Sequence, residues 1–114
     1  MIRKEIVLPA TRDDVWEALT DAERLADWFA NDVELDLRPG GGAHFRWSNG
    51  EERHATVTEV EPEERLSFEW EDDGVVEFTL EDDAEGTRVT VVETAPAWST
   101  ALAFGFQASA SAVV

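Results

Sequence analysis

The chain contains no cysteine. That excludes a disulfide framework, a thiolate nucleophile and any cysteine-ligated metal. Histidine is almost as scarce, with two residues, His44 and His54, and neither a His-x-His nor a His-Glu-x-x-His spacing. Metal sites need several convergent ligands, so no metal centre is expected, and nothing in the composition asks for a cofactor. Basic residues number nine against 26 acidic ones, for a formal charge of −17, and Lys4 is the sole lysine. Recognition of polyanions depends on clustered Lys and Arg, so neither nucleic acid nor an anionic membrane is expected as a partner. The opening MIRKEIVLPA lacks the apolar run of a secretory leader, which makes the cytoplasm the expected location.

Acid is what the chain has in surplus. Carboxylates come in pairs at presumptive turns and strand ends, Asp13-Asp14, Glu51-Glu52, Glu63-Glu64, Asp72-Asp73 and Asp82-Asp83. Such pairs belong on a solvated surface, and a surplus of them also suits high salt, where repulsion is screened. At 114 residues the chain has room for a single core, so residues 1–114 are read as one domain.

The stretch VWEALTDAERLADWF, residues 15 to 29, concentrates apolar area. Two start signals divide it. Thr20-Asp21-Ala22-Glu23 reads as a capping box with Thr20 as the cap, and Thr11-Arg12-Asp13-Asp14 is a looser version after Pro9. Two short helices follow, one striped by Val15, Ala18 and Leu19, the other by Ala22, Leu25, Ala26 and Phe29. Each is shorter than the ~12–15 residues at which an isolated helix is even marginal, so both need packing to persist.

From residue 33 the apolar period drops to two. Val33, Leu35 and Leu37 alternate with acids, then Ala43, Phe45 and Trp47 with His44, Arg46 and Ser48, up to the hairpin signal Asn49-Gly50. Residues 52–61 form a further strand with a bulge between Val57 and Val60. Leu66, Phe68 and Trp70, then Val76, Phe78 and Leu80, then Val89 and Val91 complete an antiparallel meander, and residues 3–8 add a strand in front of it. No charge follows Glu93. The segment from Ala97 with Trp98, Ala101, Leu102 and Phe106 is expected as a helix covering the apolar face, weakened by Gly105. Its Ser, Thr and Gln content argues against a membrane span.

The order of strand, two short helices, six-stranded meander and C-terminal helix is that of the helix-grip fold. Four stretches, VLPATRDDVWEALTDAERLADWF, PGGGAHFRW, VTEVEPEERLSFEWE and GTRVTVVET with a following WSTAL, resemble the SRPBCC (START-like) superfamily. Within it they are most similar to the homologues of the activator of heat-shock protein ninety ATPase. The resemblance implies an α+β fold in which an antiparallel curved sheet of six to seven strands cradles the last helix. It also implies that the helix pair, through Trp16, Trp28 and Phe29, wedges against the N-terminal strand and the open side of the sheet. The superfamily includes lipid and hormone binders, polyketide aromatase/cyclases and a eukaryotic cochaperone domain. They share a cavity between sheet and last helix.

Catalytic constellations are sparse. Gly40-Gly41-Gly42 opens a strand rather than a helix and so is no phosphate cradle. His44 is expected on the outer face, as are Arg46 and Arg88. His54, if turned inward beside a carboxylate, is the one candidate for acid/base work. The expected ligand wall is Phe45, Trp47, Leu66, Phe68, Trp70 and Phe78, roofed by Trp98 and Leu102, facing a small hydrophobic, aromatic or acyl ligand. The leading reading is a non-enzymatic binding domain. The alternatives are a cyclase- or hydrolase-like enzyme and an interaction domain. The last is either cochaperone-like, a partner implied by the resemblance alone, or a homodimer formed through the uncharged C-terminal segment.

Overall fold

Burial of one apolar row per strand organises the molecule. The computed structural model describes residues 2–71 and 74–94. Strand β1 (Ile2–Leu8) is followed by helices α1 (Arg12–Thr20) and α2 (Ala22–Trp28). Six strands then run as a meander: β2 (Asp32–Leu35), β3 (Gly42–Arg46), β4 (Glu52–Glu61), β5 (Arg65–Trp70), β6 (Val75–Asp83) and β7 (Gly86–Glu93). All seven form one antiparallel sheet in the order β1-β7-β6-β5-β4-β3-β2. The expected C-terminal helix, with Trp98 and Leu102, lies outside the described residues.

Alternation fixes the two faces. Phe45, Ala55, Val57, Leu66, Phe68, Trp70, Val76, Phe78, Leu80, Val89 and Val91 are buried on one face, called inner here. Their neighbours along each strand, mostly Glu, Thr, Arg and His, form the outer face. Strand β4 bulges, with its register to β5 shifting between Val57 and Glu59, as the sequence indicates.

The helix pair is capped differently from the sequence expectation. The cap of α2 is Asp21, not Thr20: Asp21 Oδ1 accepts from the Glu23 and Arg24 amides at 2.8 and 3.4 Å. The Thr20 hydroxyl instead donates to the Trp16 carbonyl at 2.7 Å, inside α1. A carboxylate is the stronger acceptor at a helix N-terminus, and it takes the position. Thr11 precedes α1 without a side-chain cap bond.

Val15, Ala18, Leu19 and Leu25 are buried beneath the pair. Trp28 Nε1 donates to the Ala18 carbonyl at 3.0 Å, locking one helix to the other. In the sheet, α2 packs chiefly on β2 and α1 on β6 and β7, and Trp16 and Trp28 pack, partly buried, against the core that also holds Leu8 of β1 and Phe29. Leu37 continues the alternation of β2 in sequence but departs from it in the structure, where it is 37 % exposed. The chain leaves the sheet after Leu35, because Arg38 and Gly41 amides bond back to the Asp36 and Arg38 carbonyls. Gly41 is required there, since a Cβ would collide with the Asp36 carbonyl oxygen.

Candidate functional site

The aromatic set comes together on the inner face. Phe45 and Phe78 are wholly buried, Phe68 and Trp70 nearly so, and Leu66 lies between Val60 and Phe78 in register. Edge-to-face contacts link them: Phe45 to Trp70 with centroids 5.6 Å apart, and Phe68 to Phe78 at 6.4 Å and 88°. Such geometry sets the positive ring edge against a neighbour's negative face. Trp47 stands just past the end of β3, half-buried, and its Nε1 donates to the Phe29 carbonyl at 2.8 Å. Phe29, at the end of α2, closes the group by contacting Phe45 and Trp47 at 5.3 and 5.4 Å.

Two polar residues on the same face went unnoticed in the sequence. Arg53 faces Phe45 across β3 and β4, and its guanidinium carbon lies 3.9 Å from the Trp70 ring centroid. Glu93 faces Val76 across β6 and β7 and is completely buried. The signal for both is parity: Arg53 shares it with Ala55 and Val57, and Glu93 with Val89 and Val91. A carboxylate is rarely buried so completely, which makes Glu93 one of only two polar residues buried among those described.

Beside the Arg53–Trp70 contact the surface opens into a cleft of about 420 Å³, lined by Glu51, Glu52, Arg53, His54, Trp70 and Glu71. His54 reaches this cleft from the outer face. Its side chain is half exposed and points outward, so the inward acid/base geometry is not met. The bulge that made its direction uncertain begins only at Thr58, beyond His54, and leaves the parity of His54 opposite to that of Ala55. The imidazole stacks on His44, its direct cross-strand partner, with centroids 4.0 Å apart and planes within 13°. Carboxylates surround the pair. Glu52 and Glu34 lie 2.8 and 3.4 Å from the two nitrogens of His44, and Glu71 lies 3.6 Å from His54 Nδ1.

His44, Arg46 and Arg88 are on the outer face as expected. Asp32 Oδ2 accepts from Arg46 Nη2 at 2.6 Å, and this carboxylate, assisted by Glu34 and Glu52, raises the guanidinium pKa further. Among the described residues no group of three ligating side chains is placed to hold a metal, and no helix is long and apolar enough to cross a membrane.

The sequence profile described as "Activator of Hsp90 ATPase homolog 1-like protein" matches residues 9–111. The chain resembles the solution structure of an AHSA1-like protein from Aeromonas hydrophila, with a TM-score of 0.82 and 23% identity over 98% of this chain and 92% of that one. A Bacillus halodurans protein is 35% identical over 82% of this chain and 67% of its own, with a TM-score of 0.71. The Aha1 dimer of Colwellia psychrerythraea is 22% identical, with 90% of each chain covered and a TM-score of 0.77. No curated protein matches the sequence.

Proposed function

The chain belongs to the Activator of Hsp90 ATPase homolog 1-like family of the SRPBCC superfamily, and from that premise we propose that it is a single small-molecule-binding domain of the cytoplasm. The ligand is apolar, aromatic or acyl, and it lies against Phe45, Trp47, Leu66, Phe68, Trp70 and Phe78, with Trp98 and Leu102 on its other side. One observation carries the reading. The aromatic inner face ends on Arg53, placed over the Trp70 ring at the edge of a cleft. A guanidinium held on an indole keeps its charge, which suits a carboxylate or carbonyl on an otherwise apolar ligand. Arg53 then orients the ligand head, and the aromatic rings take the body. Native mass spectrometry of freshly purified protein tests this: an adduct in the mass range of a small organic molecule, lost on mild activation, supports it. Bare chain alone, with no adduct regained on incubation with octanoate, contradicts it.

Glu93 supports a second reading. A buried carboxylate on the ligand-facing side is the group a cyclase- or hydrolase-like enzyme would use as acid or base. A Glu93→Gln variant that binds ligand normally but no longer turns it over would favour the enzyme. Association is a separate proposal: the uncharged segment 95–114 pairs two copies, an arrangement supported by its lack of charge and by the dimer named for the Colwellia protein. A cochaperone-like partner rests on the family description alone.

A further inference from the structure

The outer face of the sheet carries a groove of about 810 Å³ that the reading above does not use. It lies between two register rows. One runs Glu59–Ser67–Glu77–Val92, and the other runs Thr56–Glu69–Val75. The bulge at Thr58 bends β4 where the rows meet, and the short side chains of Thr58, Ser67, Val75 and Val92 leave a depression between longer neighbours. Its volume falls in the range of about 300–1,000 Å³ typical of small-molecule sites.

Two properties set this groove apart from the rest of an acidic surface. Its floor is apolar: Val75 is 41 % exposed, one of two large hydrophobic residues among those described that are left so open. Its rim is uncompensated acid. Several carboxylates elsewhere on the outer face have close partners: Asp32 meets Arg46, Asp83 meets Arg88, and Glu52 meets the His44 imidazole. At the groove, Glu59 has a long contact of 3.7 Å to Arg65, and neither Glu69 nor Glu77 has a cation within pairing distance among the described residues. The Ser67 hydroxyl beside them makes no hydrogen bond there. An apolar floor under two unpaired carboxylates is complementary to one chemistry, a positive charge attached to an apolar body.

We propose that this groove binds a small organic cation, a primary ammonium on an alkyl or aryl stem, with the ammonium between Glu69 and Glu77 and the stem on Val75 and Val92. A bare metal ion would leave the valines unused, and a carboxylic acid would meet repulsion from both rims. The site is on the opposite face of the sheet from the aromatic wall, so it stands or falls independently of the proposed inner-face ligand.

The test is an amide-shift titration of the isotope-labelled full chain with 2-phenylethylammonium. The expected result is saturable shifts confined to Thr58, Ser67, Glu69, Val75, Glu77 and their neighbours. Methylammonium, which lacks the stem, and 3-phenylpropan-1-ol, which lacks the charge, should each bind at least tenfold more weakly. Glu69→Gln with Glu77→Gln should weaken the amine about tenfold, the combined effect of two surface ion pairs. Val75→Ser should weaken it while leaving methylammonium unaffected. Both variants change outer-face side chains and should keep the parent spectrum elsewhere. The proposal is overturned by shifts spread over the whole acidic surface, by equal binding of the alcohol, or by a double variant that binds as the parent does. A lysine-rich peptide that shifts the same amides at a tenfold lower concentration would overturn it in favour of a protein partner.

Discussion

The guanidinium of Arg53 lies 3.9 Å above the ring of Trp70, on a neighbouring strand and two residues from Ala55, the direct partner of Trp70. A cation in that position covers apolar area without giving up its charge. In the proposed binding mode, Arg53 is the group that selects the head of the ligand.

Replacing that group separates head from body. Arg53→Gln should lower the unfolding free energy by no more than about 1 kcal/mol, the scale of an accessible cation–π contact. Octanoate affinity, read by tryptophan fluorescence, should fall by about 1.5–3 kcal/mol as a charge-assisted hydrogen bond is lost. Octanol affinity should barely change. Equal losses for acid and alcohol would remove Arg53 from the carboxylate site.

The two candidate caps predict different costs. Asp21→Ala removes the acceptor used by the Glu23 and Arg24 amides and should destabilise the protein by ~1 kcal/mol in chemical denaturation. Thr20→Ala, which loses a bond back into α1, should cost less. The reverse order would restore the capping box read from the sequence.

What the sequence made legible, and what it hid, follows from how local each signal is. The inner-face positions of Phe45, Leu66, Phe68, Trp70 and Phe78 depend on alternation alone, which a strand cannot disobey without a bulge. Thr20 and Asp21 are both good caps at adjacent positions, and the choice between them depends on which oxygen reaches the amides. Leu37 obeys the alternation and leaves the sheet anyway, because the turn at Arg38–Gly41 is decided by backbone bonds. Arg53 and Glu93 obey the same parity as the apolar residues around them. Their charge concealed them, since charged residues are ordinarily assigned to the surface.

Asp13 supplies a pH-dependent term. The Thr11 hydroxyl donates to its carboxylate and, with the Asp13 and Asp14 amides, holds its pKa below the ordinary value of 3.8. A carboxyl group with a depressed folded-state pKa stabilises the protein above its unfolded pKa, and loses that contribution as pH falls through the folded value. Thr11→Val should therefore raise the Asp13 pKa towards 3.8 in a carboxyl-carbon NMR titration. An unchanged titration would show that the hydroxyl is not the cause.

Salt acts on the surplus of acid. Ion pairs such as Arg46–Asp32 and Arg88–Asp83 are screened as salt rises, each exposed pair losing at most about 1 kcal/mol. Repulsion among 26 carboxylates facing nine basic groups is screened as well, and it outweighs the pairs. The thermal midpoint should rise between low salt and molar KCl. A falling midpoint would mean that the pairs dominate.

Trp70 distinguishes a ligand-facing aromatic wall from a filled core. It is almost wholly buried, in edge contact with Phe45 and covered on one side by Arg53. In a solid core Trp70→Ala leaves a void costing ~3–5 kcal/mol. At the wall of a binding site the cost is smaller, because one side of the ring faces a ligand rather than fixed protein. Unfolding free energy and octanoate affinity, measured on the same Trp70→Ala protein, should show a loss below about 3 kcal/mol together with at least a tenfold drop in affinity. A stability loss at the top of the core range, with no octanoate bound by the parent protein, would contradict the account.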